Sequence, residues 1–218
     1  MSLKKGDFVE IEFTGSVKGG EIFDSNIKED LDVAGLKGNP VPFTFCLGEK
    51  MFIPGVDSAL IGKEIGEYTF DLKPEEAFGK RDPKLIKMVP LKNFLEHKVN
   101  PIPGAVFEFD GKIAKVLTVS GGRVMIDFNH PLSGKKVTYK IIVKKRVEDM
   151  NEKITALNDF FFRKTFDFEV KDKELKLKVQ KELEPLVEMF KDKYESILGL
   201  KLILEKVEKQ EKKQEKKK

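Results

Sequence analysis

Phe128-Asn129-His130-Pro131-Leu132-Ser133-Gly134-Lys135 decides how the rest of the chain is read. Taken alone it is a strand end, a proline turn and a glycine-terminated loop. Four earlier stretches accompany it: Phe13-Thr14-Gly15, Phe23-Asp24-Ser25, Ile53-Pro54-Gly55 and Ala77-Phe78-Gly79. Any one of these tripeptides is a weak signal. The joint spacing of the set is specific, and it covers residues 1 to about 150.

Upstream of that stretch the apolar residues alternate. Val9, Ile11 and Phe13 share one face of a half-buried strand, and Gly19-Gly20 follows at hairpin spacing. Residues 30–42, rich in Gly, Pro and Asn, read as a loop. Phe43, Phe45 and Leu47 alternate again. Pro54-Gly55 opens a short helix with Val56, Ala59 and Leu60 on its apolar side. Tyr68, Phe70 and Leu72 form another strand, and Val137, Tyr139, Ile141 and Val143 a last one. Many short strands around one short helix predict an α+β fold, a curled antiparallel sheet wrapped on that helix.

Between Pro83 and Phe128 the texture changes. Val106–Phe109, Lys112–Val119 and Val124–Phe128 read as three strands, the first two joined at Asp110-Gly111. We read 84–128 as a small β-rich insert in a domain made of 1–83 and 129–150. From 151 to 208 a compact α+β module is expected. Leu157–Phe162 is helical, an aromatic hairpin turns at Lys171-Asp172, and Leu186, Met189, Phe190, Tyr194 and Ile197 recur at helical spacing. Gly199 ends that helix and Lys201–Val207 is a final strand. Residues 209–218 are too charged to pack and are read as disordered.

Composition narrows the chemistry. The chain has 218 residues, 36% of them charged, with a net charge of +4. Five lysines and two glutamates crowd into 211–218, so the overall charge does not demand a nucleic-acid partner. Cys46 is alone, which excludes an intramolecular disulfide and fits a reducing compartment. One cysteine and two histidines are too few for a dedicated zinc or nickel site. No P-loop, dinucleotide fingerprint or His-Glu-x-x-His motif occurs. No signal-peptide core or membrane-span run is found, so a cytoplasmic protein without membrane association is expected. Abundant Lys and Glu with no Trp resemble hyperthermophile composition.

The five stretches together resemble the FKBP-type peptidyl-prolyl isomerases, and more closely their SlyD-like branch with its long archaeal members. The resemblance implies a pocket for X-Pro bonds. Phe13 stands at a wall aromatic that is usually tyrosine. Phe23 and Asp24 match an apolar wall beside a carboxylate, and Ile53 supplies a backbone N–H for a substrate carbonyl. Phe78 and Tyr139 complete the catalytic set. Phe43, Phe45, Phe52 and Val56 are implied as substrate-binding residues, Val56 at the pocket floor. The insert matches the insert-in-the-flap domain and implies chaperone action. Val106, Phe107, Phe109, Val116, Leu117 and Met125 are its expected contacts, since three strands cannot bury them all, and exposed apolar area marks contact sites.

No cofactor or metal is expected. SlyD relatives often end in a His- and Cys-rich metal-binding tail, whereas this chain ends in lysines. The expected partners are proline-containing unfolded polypeptides. Capping, substrate binding and homodimerisation stay open for the C-terminal module, and nucleic acid is a minority reading of the tail. Phe at 13 and 78 lacks the hydroxyls of tyrosine, which leaves a non-catalytic holdase as the competing class.

Overall fold

A computed structural model describes residues 2–109 and 111–207. The expected disordered tail and Asp110 of the expected hairpin turn lie outside the described residues. The remaining elements are β1 (Phe8–Val17), β2 (Ile22–Ser25), α1 (Lys28–Ala34), β3 (Phe43–Cys46), α2 (Pro54–Leu60) and β4 (Gly66–Leu72). The chain continues with β5 (Ile86–Pro90), α3 (Leu91–Glu96), β6 (Val106–Phe109), β7 (Lys112–Ser120), β8 (Arg123–Asp127) and β9 (Val137–Val147). Last come α4 (Met150–Phe162), β10 (Phe168–Lys171), β11 (Glu174–Gln180), α5 (Glu184–Glu188), α6 (Lys191–Leu198) and β12 (Lys201–Val207). The fold class is α+β, as expected. A five-stranded sheet runs β2-β1-β9-β4, with β3 antiparallel to β1 from Phe8↔Cys46 to Ile11↔Phe43.

Two compact units divide the chain. The first comprises 2–14, 25–68 and 140–207. Its alternating strands bury Val9, Ile11, Phe45, Ile141 and Val143, and α2 adds Val56 and Leu60 to the core. Helix α4 starts on an Asp149 cap that accepts the Glu152 N–H. It packs on β3 and α6 and buries Ile154 and Leu157. The C-terminal strands form a second sheet, β10-β11-β12. β10 and β11 are an antiparallel hairpin, whereas β12 runs parallel to β11.

The second unit comprises 15–24 and 69–139. It contains a four-stranded antiparallel sheet, β5-β8-β7-β6. Phe94, Val116, Val124 and Ile126 are its buried core. A register shift between Val116 and Thr118 leaves Leu117 outside the β7–β8 pairing. At the neck of this sheet, Asp127 Oδ2 receives Arg81 at 2.5 Å, and its Oδ1 receives the Asn129 amide nitrogens at 2.9 and 2.7 Å. Asn129 in turn accepts the Asp82 N–H at 2.8 Å and donates to the Asp82 carbonyl at 3.0 Å. Outgoing and returning chain are therefore tied side chain to main chain. These contacts hold the Asp127 carboxyl below its ordinary range, against the opposing effect of burial.

Three expectations need correction. The loop expected over 30–42 begins as helix α1, whose seven residues bury only Leu31 and so show no apolar stripe. The insert has four strands and a helix rather than three strands. Pro90 ends the extra strand β5, and α3 buries only Phe94. The single helix expected from Leu186 to Ile197 is two helices that break at Met189-Phe190. Val187 is the buried residue of α5, while Leu186 and Met189 face solvent, Met189 at 79%.

Candidate functional site

In the first unit Phe52 joins the expected aromatics. Phe13 meets it edge-on at 5.0 Å, Phe43 and Phe45 lie tilted against it at 5.7 and 5.4 Å, and Phe43 stacks on Phe45 at 5.7 Å. Phe13 is nearly buried and Phe45 fully so, while Phe43 and Phe52 are half-buried. Ile53 follows Phe52 and is half-buried. The next residue is proline, which favours the extended backbone seen there, φ −54° and ψ 126°. Pro54 then starts α2, and Val56 is sealed in the core at 0% exposure. The buried Asp57 carboxylate accepts the Gly48 and Lys50 N–H groups at 2.7 and 3.3 Å, fixing the turn from β3 to α2.

Asn26 fixes the strand under Phe13, a role the sequence reading missed. Its Oδ1 accepts the Phe13 N–H at 2.7 Å. Its Nδ2 donates to the Ile11 and Val41 carbonyls, each at 3.0 Å. Ser25 Oγ donates to the Phe13 carbonyl at 2.9 Å and accepts the Ile27 N–H at 3.0 Å. Thr14 Oγ1 lies 3.2 Å from Ser25 Oγ and donates to the Asp30 carboxylate. A polar residue just after a strand was the available signal, and it does not specify which main-chain groups the side chain takes.

In the second unit Phe23 is the centre. It meets Phe78 at 5.6 Å and 82°, and Tyr139 at 5.9 Å and 78°. Gly15 makes this close approach possible. A Cβ there would stand 2.9 Å from two Phe23 ring carbons and 3.0 Å from a Tyr139 ring carbon. Tyr139 is 1% exposed. Burial, and after it the negative charge of Asp24, hold its phenol above the ordinary range. Asp24 itself is exposed, and Phe23 and Phe78 are half-buried. Phe23, Ile53 and Phe78 thus each keep surface for a ligand.

The expected insert residues separate by burial. Val116 is a core residue at 1% exposure, with no surface for a substrate. Phe107, Phe109, Leu117 and Met125 are half-buried, and Val106 is exposed at 59%. Between α3 and the sheet lies an open cleft of about 620 Å³. Val89, Phe94, Phe107, Phe109, Ile126 and Phe128 give it an apolar floor, and Lys87, Asn93, His97 and Glu108 add polar groups. Phe94 was not among the expected contacts, because the helix that carries it shows no stripe. Among the described residues no helix is long and apolar enough to cross a membrane.

Comparison with known proteins adds an independent line. Residues 1–101 match the family described as FKBP-type peptidyl-prolyl cis-trans isomerase. Residues 87–132 match the IF domain of FKBP26. A short-type peptidyl-prolyl cis-trans isomerase of Methanocaldococcus jannaschii is 34% identical over 151 residues, covering 65% of this chain and 92% of that protein. The FKBP-type 16 kDa peptidyl-prolyl cis-trans isomerase of Escherichia coli K12 is 33% identical over 113 residues, 49% of this chain and 75% of its own length. The SlyD isomerase of Aeromonas hydrophila is 28% identical over 139 residues, 62% and 60% of the two chains.

Proposed function

The chain belongs to the FKBP-type peptidyl-prolyl cis-trans isomerases, and from that premise we propose that it turns X-Pro bonds in unfolded and partly folded polypeptides held by its insert. The reaction needs no nucleophile. The obstacle is the partial double bond of the imide, a barrier of roughly 18–20 kcal/mol that leaves uncatalysed exchange at tens to hundreds of seconds. A twisted imide has lost resonance and its carbonyl is less polar, so apolar surroundings favour it over the planar form. A ten-thousandfold gain requires only about 5.5 kcal/mol. In this reading Phe13, Phe43, Phe52, Phe23 and Phe78 supply apolar surface, and the buried Tyr139 packs against Phe23. Asp24 orients or polarises the substrate, and the Ile53 N–H binds a carbonyl. Phe45 and Val56 back the aromatic surface from the core.

The open apolar cleft beside α3 is the observation that carries the capture role. A nonnative segment held there keeps its prolines at high local concentration for isomerisation. Deleting 84–128 tests this with two assays on the same protein. Protease-coupled turnover of a tetrapeptide is expected to fall by less than about threefold, while acceleration of a proline-limited refolding reaction is lost. Equal loss in both assays overturns the capture role. Asp24→Ala in the intact chain should lower both rates. The competing holdase reading rests on Phe13 and Phe78, which lack tyrosine hydroxyls. It predicts suppression of aggregation with no peptide turnover.

A further inference from the structure

His130 opens the proline turn that follows the insert, and its side chain is exposed. Its ring nevertheless lies flat on Phe78, with centroids 4.8 Å apart and planes 1° from parallel. The imidazole is itself fixed, because Nδ1 accepts the Leu132 N–H at 3.2 Å. Two more bonds from the same turn reach the Phe78 segment. Ser133 Oγ donates to the Phe78 carbonyl at 3.1 Å, and the Gly134 N–H donates to the Gly79 carbonyl at 2.9 Å. Phe78 has no hydroxyl through which a hydrogen bond could orient it, so ring contacts must do so. Phe23 meets it near-perpendicular and His130 meets it face to face. Offset stacks and edge contacts are the two favourable geometries for such pairs.

We propose that His130 is a positioning residue for isomerisation: its ring sets the plane of Phe78, and so the apolar surface that Phe78 offers the substrate proline. The inference rests on the role given to Phe78 above. A residue that served only the turn would need Nδ1 and no coplanar neighbour. With His130 removed, Phe78 keeps Phe23 as its ring partner and can tilt about that contact.

Two substitutions in the full chain separate the halves of the side chain. His130→Asn keeps an acceptor for the Leu132 amide and discards the ring. His130→Phe keeps a ring and discards the acceptor. Protease-coupled turnover of an X-Pro tetrapeptide should give a kcat/KM lowered about three- to tenfold in His130→Asn, the scale of one aromatic pair. His130→Phe should stay within about twofold of the parent. The Phe78 ring resonances should move in His130→Asn and return towards their parent positions in His130→Phe. Full activity in His130→Asn, or equal losses in both variants, overturns the proposal. A parent chain without turnover would overturn the isomerase role of Phe78 instead. The ring resonances would then still decide whether His130 sets that side chain.

Discussion

Asn26 satisfies three main-chain groups with one buried side chain, and two of them flank or belong to Phe13. Replacing it by alanine strands a buried N–H and weakens two carbonyls. Unsatisfied buried groups cost about 1–3 kcal/mol each, so Asn26→Ala should destabilise the protein by about 2–4 kcal/mol in urea unfolding. An effect below about 0.5 kcal/mol would show that water replaces the amide there. The sequence displayed Phe13 as part of an alternating strand, but nothing in the pattern connected it with a residue thirteen positions on. Alternation reports which face a side chain takes. It is silent on the polar side chain that completes a strand's hydrogen bonds. The same limit applied to His130, whose turn role was legible and whose ring contact was not.

Helix α3 closes the insert with one buried residue, Phe94, which meets Phe109 at 5.4 Å and Phe107 at 6.3 Å. Large aromatic truncations in cores cost about 3–5 kcal/mol. Phe94→Ala should therefore open the insert and abolish capture. Hydrogen exchange should rise across 86–127 and remain low in α2 and α4. Exchange rising equally everywhere would mean that the insert and the rest unfold as one. This element also shows where the sequence was hard to read. Strands β1, β3, β4 and β9 were visible because each alternates over several residues. Helices α1 and α3 each bury a single residue, so no helical period exists to detect. The α5–α6 pair misled for the opposite reason. A stripe at helical spacing was present, but Met189-Phe190 breaks the chain between the helices and turns Val187 inward instead of Leu186. The parallel pairing of β12 with β11 depends on the crossover through α5 and α6, which no local pattern encodes.

At the scale of the whole molecule, Cys46, Tyr139 and Tyr194 are weak acids buried in the protonated form. Burial, reinforced by the Glu49 and Asp57 charges, pushes the Cys46 thiol from 9.0 up to about 12. Burial holds the Tyr139 and Tyr194 phenols above the ordinary value of 10.0. In each case the folded chain binds the proton more tightly than the unfolded chain. The associated stability is complete below pH 9 and drains away as pH climbs from there towards 12. The urea midpoint should fall steadily above pH 9, and Cys46→Ala should flatten the early part of that fall. A midpoint constant from pH 8 to 11 contradicts this. A different consequence follows from the neck at Arg81, Asp82, Asp127 and Asn129. The two Asp82–Asn129 hydrogen bonds join residues 47 positions apart, and neither residue belongs to a strand of the insert. Closing a loop costs free energy only as the logarithm of its length, so excursions of very different size can be grafted here at similar cost. An insert of another size or fold could be spliced in at this point with the Asp82–Asn129 clasp still closing its ends.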